Sequence, residues 1–133
     1  MIVVDSSAVL AIFLGEPDAA RLARAIGDDD APLMSAASVV ETSIVLRALK
    51  KVPPGVAEQW LDEFLRVGGI AVEPVTEAQA AAARAAHSRF GKGTGHPAAL
   101  TFGDCFPYAL AKTLGVPLLF KGDDFGRTDI VPA

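Results

Sequence analysis

Met1-Ile2-Val3-Val4-Asp5-Ser6-Ser7-Ala8 opens the chain with an apolar run that stops at an acid and two hydroxyls. The residues up to Val4 have the apolar, β-branched character of a short buried strand, and Ser6-Ser7-Ala8 can open a helix. Asp5 then falls at the strand's carboxyl end, the edge of an open parallel sheet where ligands bind. What that acid does depends on whether others arrive beside it.

Working outward, short apolar strands alternate with helical patterns. A first helix is expected through Val9, Leu10, Ile12 and Phe13, stopping at Gly15. Pro17 suits the first turn of a second, whose apolar stripe is Ala19, Leu22, Ala23 and Ile26. Pro32 to Ser35 reads as the second strand, and Ala36 to Lys50 as a helix that Pro53-Pro54-Gly55 breaks. A fourth helix carries Val56, Trp60, Phe64 and Val67 on one side and ends at Gly68-Gly69. Ile70-Ala71-Val72 is the third strand, and Thr76-Glu77-Ala78-Gln79 is a capping box for an alanine-rich helix fading near Phe90. After the Gly91 to Pro97 loop, a helix from about Phe102 to Leu114 stops at Gly115, with Pro117 beyond. Val116 to Phe120 is the fourth strand, and Asp129-Ile130-Val131 a short fifth. Strands separated by helices imply a parallel sheet with helices on both faces. Without a repeat or a long linker, residues 1–133 form a single α/β domain.

Composition narrows the function classes. With 51% hydrophobic and 21% charged residues, the chain is globular rather than disordered. No apolar run reaches the roughly 18–20 residues of a membrane span, and no basic segment precedes the first apolar run, so no signal peptide is expected. The single Cys105 excludes an internal disulfide and points to a cytoplasmic setting. A net charge of −4 argues against gripping nucleic acid by overall charge, but not against an enzyme that holds cations in an acidic pocket.

The acids can be placed on this sheet. Asp5 ends strand one, Glu41 lies in the first two turns of the helix after strand two, Asp104 starts the helix leading into strand four, and Asp123-Asp124 follows that strand. All fall near the carboxyl edge. Asp5 and Asp104 could instead serve as helix caps, and Lys121-Gly122-Asp123-Asp124-Phe125 could be a plain turn. Glu41 shares its helix side with Ala37, Ser38, Ile44 and Val45, away from the polar Ser43, Arg47 and Lys50, so it points toward the apolar side and needs a cation or donors. Carboxylates about 4 Å apart repel by roughly 4 kcal/mol at an effective dielectric of about 20, so a cluster of them is no stability device. Divalent cations would offset that repulsion, and oxygen-only ligands suit magnesium or manganese. His87, His96 and Cys105 fit no usual zinc spacing.

Asp5-Ser6-Ser7-Ala8, Glu41 on its helix, Phe102-Gly103-Asp104-Cys105, and Phe120 to Phe125 with Thr128-Asp129-Ile130 together resemble the PIN-domain ribonucleases, most closely the VapC-type toxins of type II toxin–antitoxin pairs. The resemblance spans essentially the whole chain. It implies a three-layer α/β/α sandwich with a central, mainly parallel sheet, a Mg²⁺-dependent endoribonuclease in which Mn²⁺ can substitute, a homodimer, and a cognate VapB-type antitoxin. Carried over residue by residue, Asp5 and Asp104 are the main metal ligands, and Glu41 and Asp124 complete the catalytic set. Asp123 stands where other members often carry Asn, and Thr101 where close relatives often do. Ser7 and Thr101 are the supporting hydroxyls, with helix capping as their alternative role.

Substrate contacts are less defined. Arg47, Lys50 and Lys51 form one basic cluster and Arg84, Arg89 and Lys92 another; each could meet RNA phosphates or be a solvated face. His96 is an isolated loop histidine. Trp60, Phe64 and Phe106 fit helix stripes and are expected in the core, while apolar side chains on the first two helices, such as Phe13, could leave a groove for an antitoxin. Two other readings share the acid edge: a receiver-type signalling module, whose acidic pair would follow the first strand rather than come late, and a non-catalytic binding protein on the same fold.

Overall fold

The computed structural model describes residues 1–133. Its elements run β1 (Ile2–Val4), α1 (Ser6–Phe13), α2 (Ala19–Asp28), β2 (Pro32–Ser35), α3 (Ala36–Lys50), α4 (Pro54–Gly68), β3 (Ala71–Glu73), α5 (Glu77–Phe90), α6 (Cys105–Leu114) and β4 (Leu118–Leu119), then a 3₁₀ turn at Phe125–Arg127. The four strands are parallel in the order β3-β2-β1-β4. The chain builds outward from β1 through β2 and β3, then returns to add β4 on β1's other side. That reversal makes the crevice beyond β1 and β4 the topological switch point, the usual ligand position in open α/β sheets.

Alternation along each strand divides the core in two. Val3, Leu33 and Leu118 face one way and pack with Ala86 and Phe90 of α5 and Tyr108 and Leu110 of α6. Ile2, Val4, Met34 and Leu119 face the other way, with Val9 of α1, Leu22 and Ile26 of α2, and Leu61 of α4. The result is the expected three-layer α/β/α sandwich. No helix is long and apolar enough to cross a membrane.

Several details differ from the sequence reading: the fourth strand keeps only Leu118–Leu119 of 116–120, α2 starts at Ala19, beyond Pro17, and α6 starts at Cys105 rather than near Phe102. The fifth strand is reduced to a single bridge between Leu118 and Pro132. Pro132 has no N–H to extend a ladder, and Asp129 is drawn instead to Tyr108 and Lys112. The third strand starts one residue later, at Ala71, with Ile70 buried beneath its start. On α4 the buried residues are Ala57 and Leu61, while Trp60 is 40% and Val67 71% exposed. Two apolar stripes lie side by side on this helix, and the smaller-residue one faces inward. Phe64 and Phe106 are half-buried, so of the three aromatics expected in the core none is fully inside.

The exposure difference on α4 has a measurable consequence. Leu61→Ala should lower unfolding stability by about 2–5 kcal/mol, whereas Val67→Ala should stay within about 0.5 kcal/mol. Comparing their urea midpoints at constant m-value checks this; equal losses would mean that Val67 is covered.

Candidate active site

Asp5 follows the central strand, and its backbone N–H donates to Leu119 O at 2.9 Å, fixing it between β1 and β4. Its side chain is almost fully buried. Oδ2 accepts from the Ser7 N–H at 3.0 Å, which caps α1. Oδ1 is buried and has no hydrogen-bond partner. The capping role and the candidate site role therefore coexist in one carboxylate, one oxygen to each. Burial is the main influence on its acidity and pushes its pKa from 3.8 to about 6. The Ser7 hydrogen bonds pull it down, and the charges of Asp104 and Glu41 push it further up.

Geometry brings Glu41 and Asp104 toward Asp5 through Ser6 and Gly103, the sequence neighbours of Asp5 and Asp104, both of which meet the Glu41 carboxylate. Glu41 reaches the edge from the second turn of α3, itself capped by Ser35, whose hydroxyl accepts from Ala37 N–H at 3.3 Å. The Ser6 hydroxyl donates to Glu41 Oε1 at 2.6 Å. On its other side lies Gly103, where an added Cβ would sit 1.8 Å from Glu41 Oε2. A side chain at position 103 would displace this carboxylate, so glycine here is a requirement of space.

Asp104 occupies the cap position of α6 but makes no capping hydrogen bond. Its Oδ2 instead accepts from Thr101 N–H at 2.9 Å, while the Thr101 hydroxyl accepts from Asp104 N–H at 3.4 Å. The reciprocal pair sets the carboxylate's direction, and the helix-cap alternative does not describe it. Each of the three acids thus commits one oxygen to a hydrogen bond and leaves the other unbonded.

The remaining sequence-nominated residues fall around this trio. The Ser7 hydroxyl accepts from Lys121 N–H at 3.0 Å, pinning the end of β4 to the first turn of α1. Asp123 and Asp124 stand exposed on the loop that follows, near the same edge, and neither side chain is hydrogen-bonded or ion-paired to the trio. Ser6 and Gly103 lie within the motifs that carry the resemblance, but the sequence assigns neither a role. The inference that Glu41 needs a donor was the available signal, but the linear order does not say which hydroxyl supplies it. His96 has a structural role: its Nδ1 accepts from Ala98 N–H at 3.0 Å and its ring meets Phe90 edge-on at 4.9 Å. Arg89 and Lys112 approach Asp129 at 3.6 and 3.1 Å, leaving Arg84 and Lys92 without an ion pair among the second basic group.

No three His, Cys, Asp or Glu side chains form a ready-made metal cage. The donor chemistry nevertheless fits a hard divalent cation. The nearest acids offer only oxygen, and the partnerless oxygen of Asp5 is a buried acceptor that a cation would satisfy.

With this geometry in hand, the chain can be compared with known proteins. The PIN domain family model matches residues 2–131. Ribonuclease VapC28 of Mycobacterium tuberculosis is 48% identical over 128 residues, covering 96% of this chain and 94% of the relative. Ribonuclease VapC of Mycolicibacterium smegmatis is also 48% identical over 128 residues, 96% of each chain. Among solved structures, the Mycobacterium tuberculosis toxin VapC20, described as cleaving the sarcin–ricin loop, matches at TM-score 0.78 and 18% identity over 100% of this chain and 98% of its own. A toxin–antitoxin complex from Klebsiella pneumoniae matches at TM-score 0.74 and 15% identity, covering 100% of this chain and 97% of that one. These two share the fold; the full-length sequence relatives carry the family. The chain belongs to the PIN-domain family and, within it, to the VapC ribonucleases.

Proposed function

We propose that this protein is the toxin of a type II toxin–antitoxin pair, a divalent-metal-dependent endoribonuclease that hydrolyses RNA phosphodiester bonds at the carboxyl edge of its sheet. The observation that carries the reading is the trio Asp5, Glu41 and Asp104, each with one oxygen fixed and one left open, around the partnerless Asp5 Oδ1. A receiver-type module has no use for a second-turn helix glutamate braced by a serine and a glycine, and the family relationship speaks against it.

Asp5 and Asp104 are the residues that would hold Mg²⁺, or Mn²⁺ in its place, with Glu41 and Asp124 completing the set and Asp123 as the other candidate for the fourth acid. A cation held there would supply Lewis-acid polarisation of the scissile phosphate and would lower the pKa of nearby water. The protein supplies direction. Ser7 N–H and Thr101 N–H orient Asp5 and Asp104, and Ser6 holds Glu41 against Gly103. Because these bonds exist before any ligand arrives, little reorganisation is left for the reaction itself.

The same reading includes a homodimer and a cognate VapB-type antitoxin. A surface groove of about 470 Å³, lined by Phe13, Ala23, Ile26, Trp60, Phe64 and Val67, supports an apolar antitoxin segment as its occupant. Phe13 and Phe64 meet across it at 5.3 Å.

Purified protein should cut structured RNA with Mg²⁺ or Mn²⁺ and stop when EDTA is added; equal cleavage in EDTA rejects metal dependence. Asp5→Asn and Asp104→Asn should each reduce cutting by more than about 100-fold, beyond the usual loss for outer-shell changes, with circular dichroism unchanged. Asp124→Asn should be more damaging than Asp123→Asn, and the reverse order moves the fourth acid to Asp123.

A pH signature should accompany the metal dependence. Asp5 is raised from 3.8 to about 6, so between these values the folded state holds more protons than the unfolded chain and stability falls as pH rises. The loss is on the order of 3 kcal/mol. In EDTA, the unfolding free energy of wild type relative to Asp5→Asn, which keeps a good cap, should drop by about that amount from about pH 4 to about pH 7. Saturating Mg²⁺ should shrink the drop. A pH-independent difference in EDTA would mean that the carboxylate is solvated.

A further inference from the structure

Phe102 is the most exposed of the large apolar side chains, at 79%. It immediately precedes Gly103, whose Cα lies against the Glu41 carboxylate, and Asp104. Phe102 is thus one residue from the glycine that abuts Glu41 and two from Asp104, and the cleft that its ring lines also takes in Cys105, the residue after Asp104. It is held in place: Phe106 meets it edge-to-face, with ring centroids 4.9 Å apart at 81°. An open aromatic kept at a fixed angle beside a reaction centre is poor for stability and well suited to stacking.

The surroundings point to one kind of occupant. A cleft of about 480 Å³ beside the ring is lined by Phe102, Phe106, Cys105, Arg84, His87 and Ser88, among others. Arg84 is exposed, and no ion pair of the fold engages it. A π-face next to an unneutralised guanidinium matches a nucleobase next to its phosphate. A purely apolar peptide or a second apolar face would leave Arg84 without a partner. The nearby acids repel a polyanion, so a cation on the approach is where a flanking phosphate can be received.

We propose that Phe102 is a stacking platform for an unpaired nucleobase next to the scissile phosphate, with Arg84 receiving a neighbouring phosphate. This rests on the ribonuclease reading above, and names residues through which that site selects its substrate.

Binding of a short fluorescent oligoribonucleotide of unpaired sequence, followed by anisotropy with Ca²⁺ in place of Mg²⁺ and with the oligonucleotide's intactness checked on a gel, tests the platform apart from cutting. Phe102→Ala and Phe102→Leu should each weaken binding roughly 5- to 150-fold, while Phe102→Tyr keeps it. Arg84→Gln should lower the log–log salt slope by about 0.7, the value for one single-strand phosphate. Unchanged affinity in Phe102→Ala, or Leu binding as well as Tyr, overturns stacking. A fall in oligomeric state of Phe102→Ala by sedimentation overturns it too, by making the ring a subunit contact. If wild type cuts RNA with Mg²⁺ and the variants bind like it, the platform alone fails. If wild type neither binds nor cuts, the ribonuclease reading fails with it. Phe102-dependent binding without cutting sustains the platform and removes the catalytic reading.

Discussion

A carboxylate held dry at the end of the central strand is the constraint around which this molecule is arranged. Asp5 sits between β1 and β4, tied by its own N–H to Leu119 O and by Oδ2 to the Ser7 N–H. Its other oxygen is buried without a partner, a condition that costs about 1–3 kcal/mol or more for a polar group. Two further acids add repulsion. Nothing in the apolar packing requires this. An aspartate that only capped α1 could stand in water and do the same work, so the burial and the repulsion call for a reason beyond stability.

The residues around Asp5 suit such a reason because each holds an acid without neutralising it. Ser6 and the backbone N–H groups of Ser7 and Thr101 are neutral donors; no lysine or arginine pairs with Asp5, Glu41 or Asp104. The nearest lysine in sequence to the site loop, Lys121, turns away to Glu16 and Asp18. Its backbone N–H meanwhile stays on Ser7. Neutral braces fix direction and leave the negative charge intact for a cation. Gly103 extends the logic to shape, since any larger residue would push Glu41 aside.

The strand-and-helix alternation was legible from the sequence because its signals are local: Asp5 and Thr76 cap where expected, and Gly69 and Gly115 end their helices in the left-handed conformation. Three of the acids were legible for a related reason. Asp5 and Asp104 lie at element boundaries, Glu41 stands in the second turn of its helix, and the parallel topology brings these positions toward one edge. What could not be read is decided by packing between distant segments. Ser6 lies 35 residues from the carboxylate it braces. On α4, two apolar stripes compete, and only the position of the sheet selects Leu61 over Trp60. The fifth strand fails through Pro132 and the draw of Asp129 toward Tyr108, a contact 21 residues apart.

The charge distribution shows how a protein of net charge −4 can serve a polyanion. Overall field would repel RNA, so attraction has to be local. Five of the twelve lysines and arginines are already engaged: Arg66 with Glu63, Arg21 with Asp18, Lys121 with Glu16 and Asp18, and Arg89 and Lys112 with Asp129. Arg47 lines a cleft with Glu58 and Asp62 on the α3–α4 side. The acid edge itself becomes hospitable to phosphate only once a cation reverses its sign. In the proposed reading, substrate approach would depend on a cation for the scissile phosphate and on the exposed Arg84 for its neighbours. A site arranged this way would have little grip on nucleic acid at large, and under the Phe102 proposal it would discriminate by whether one base can lie on that exposed ring.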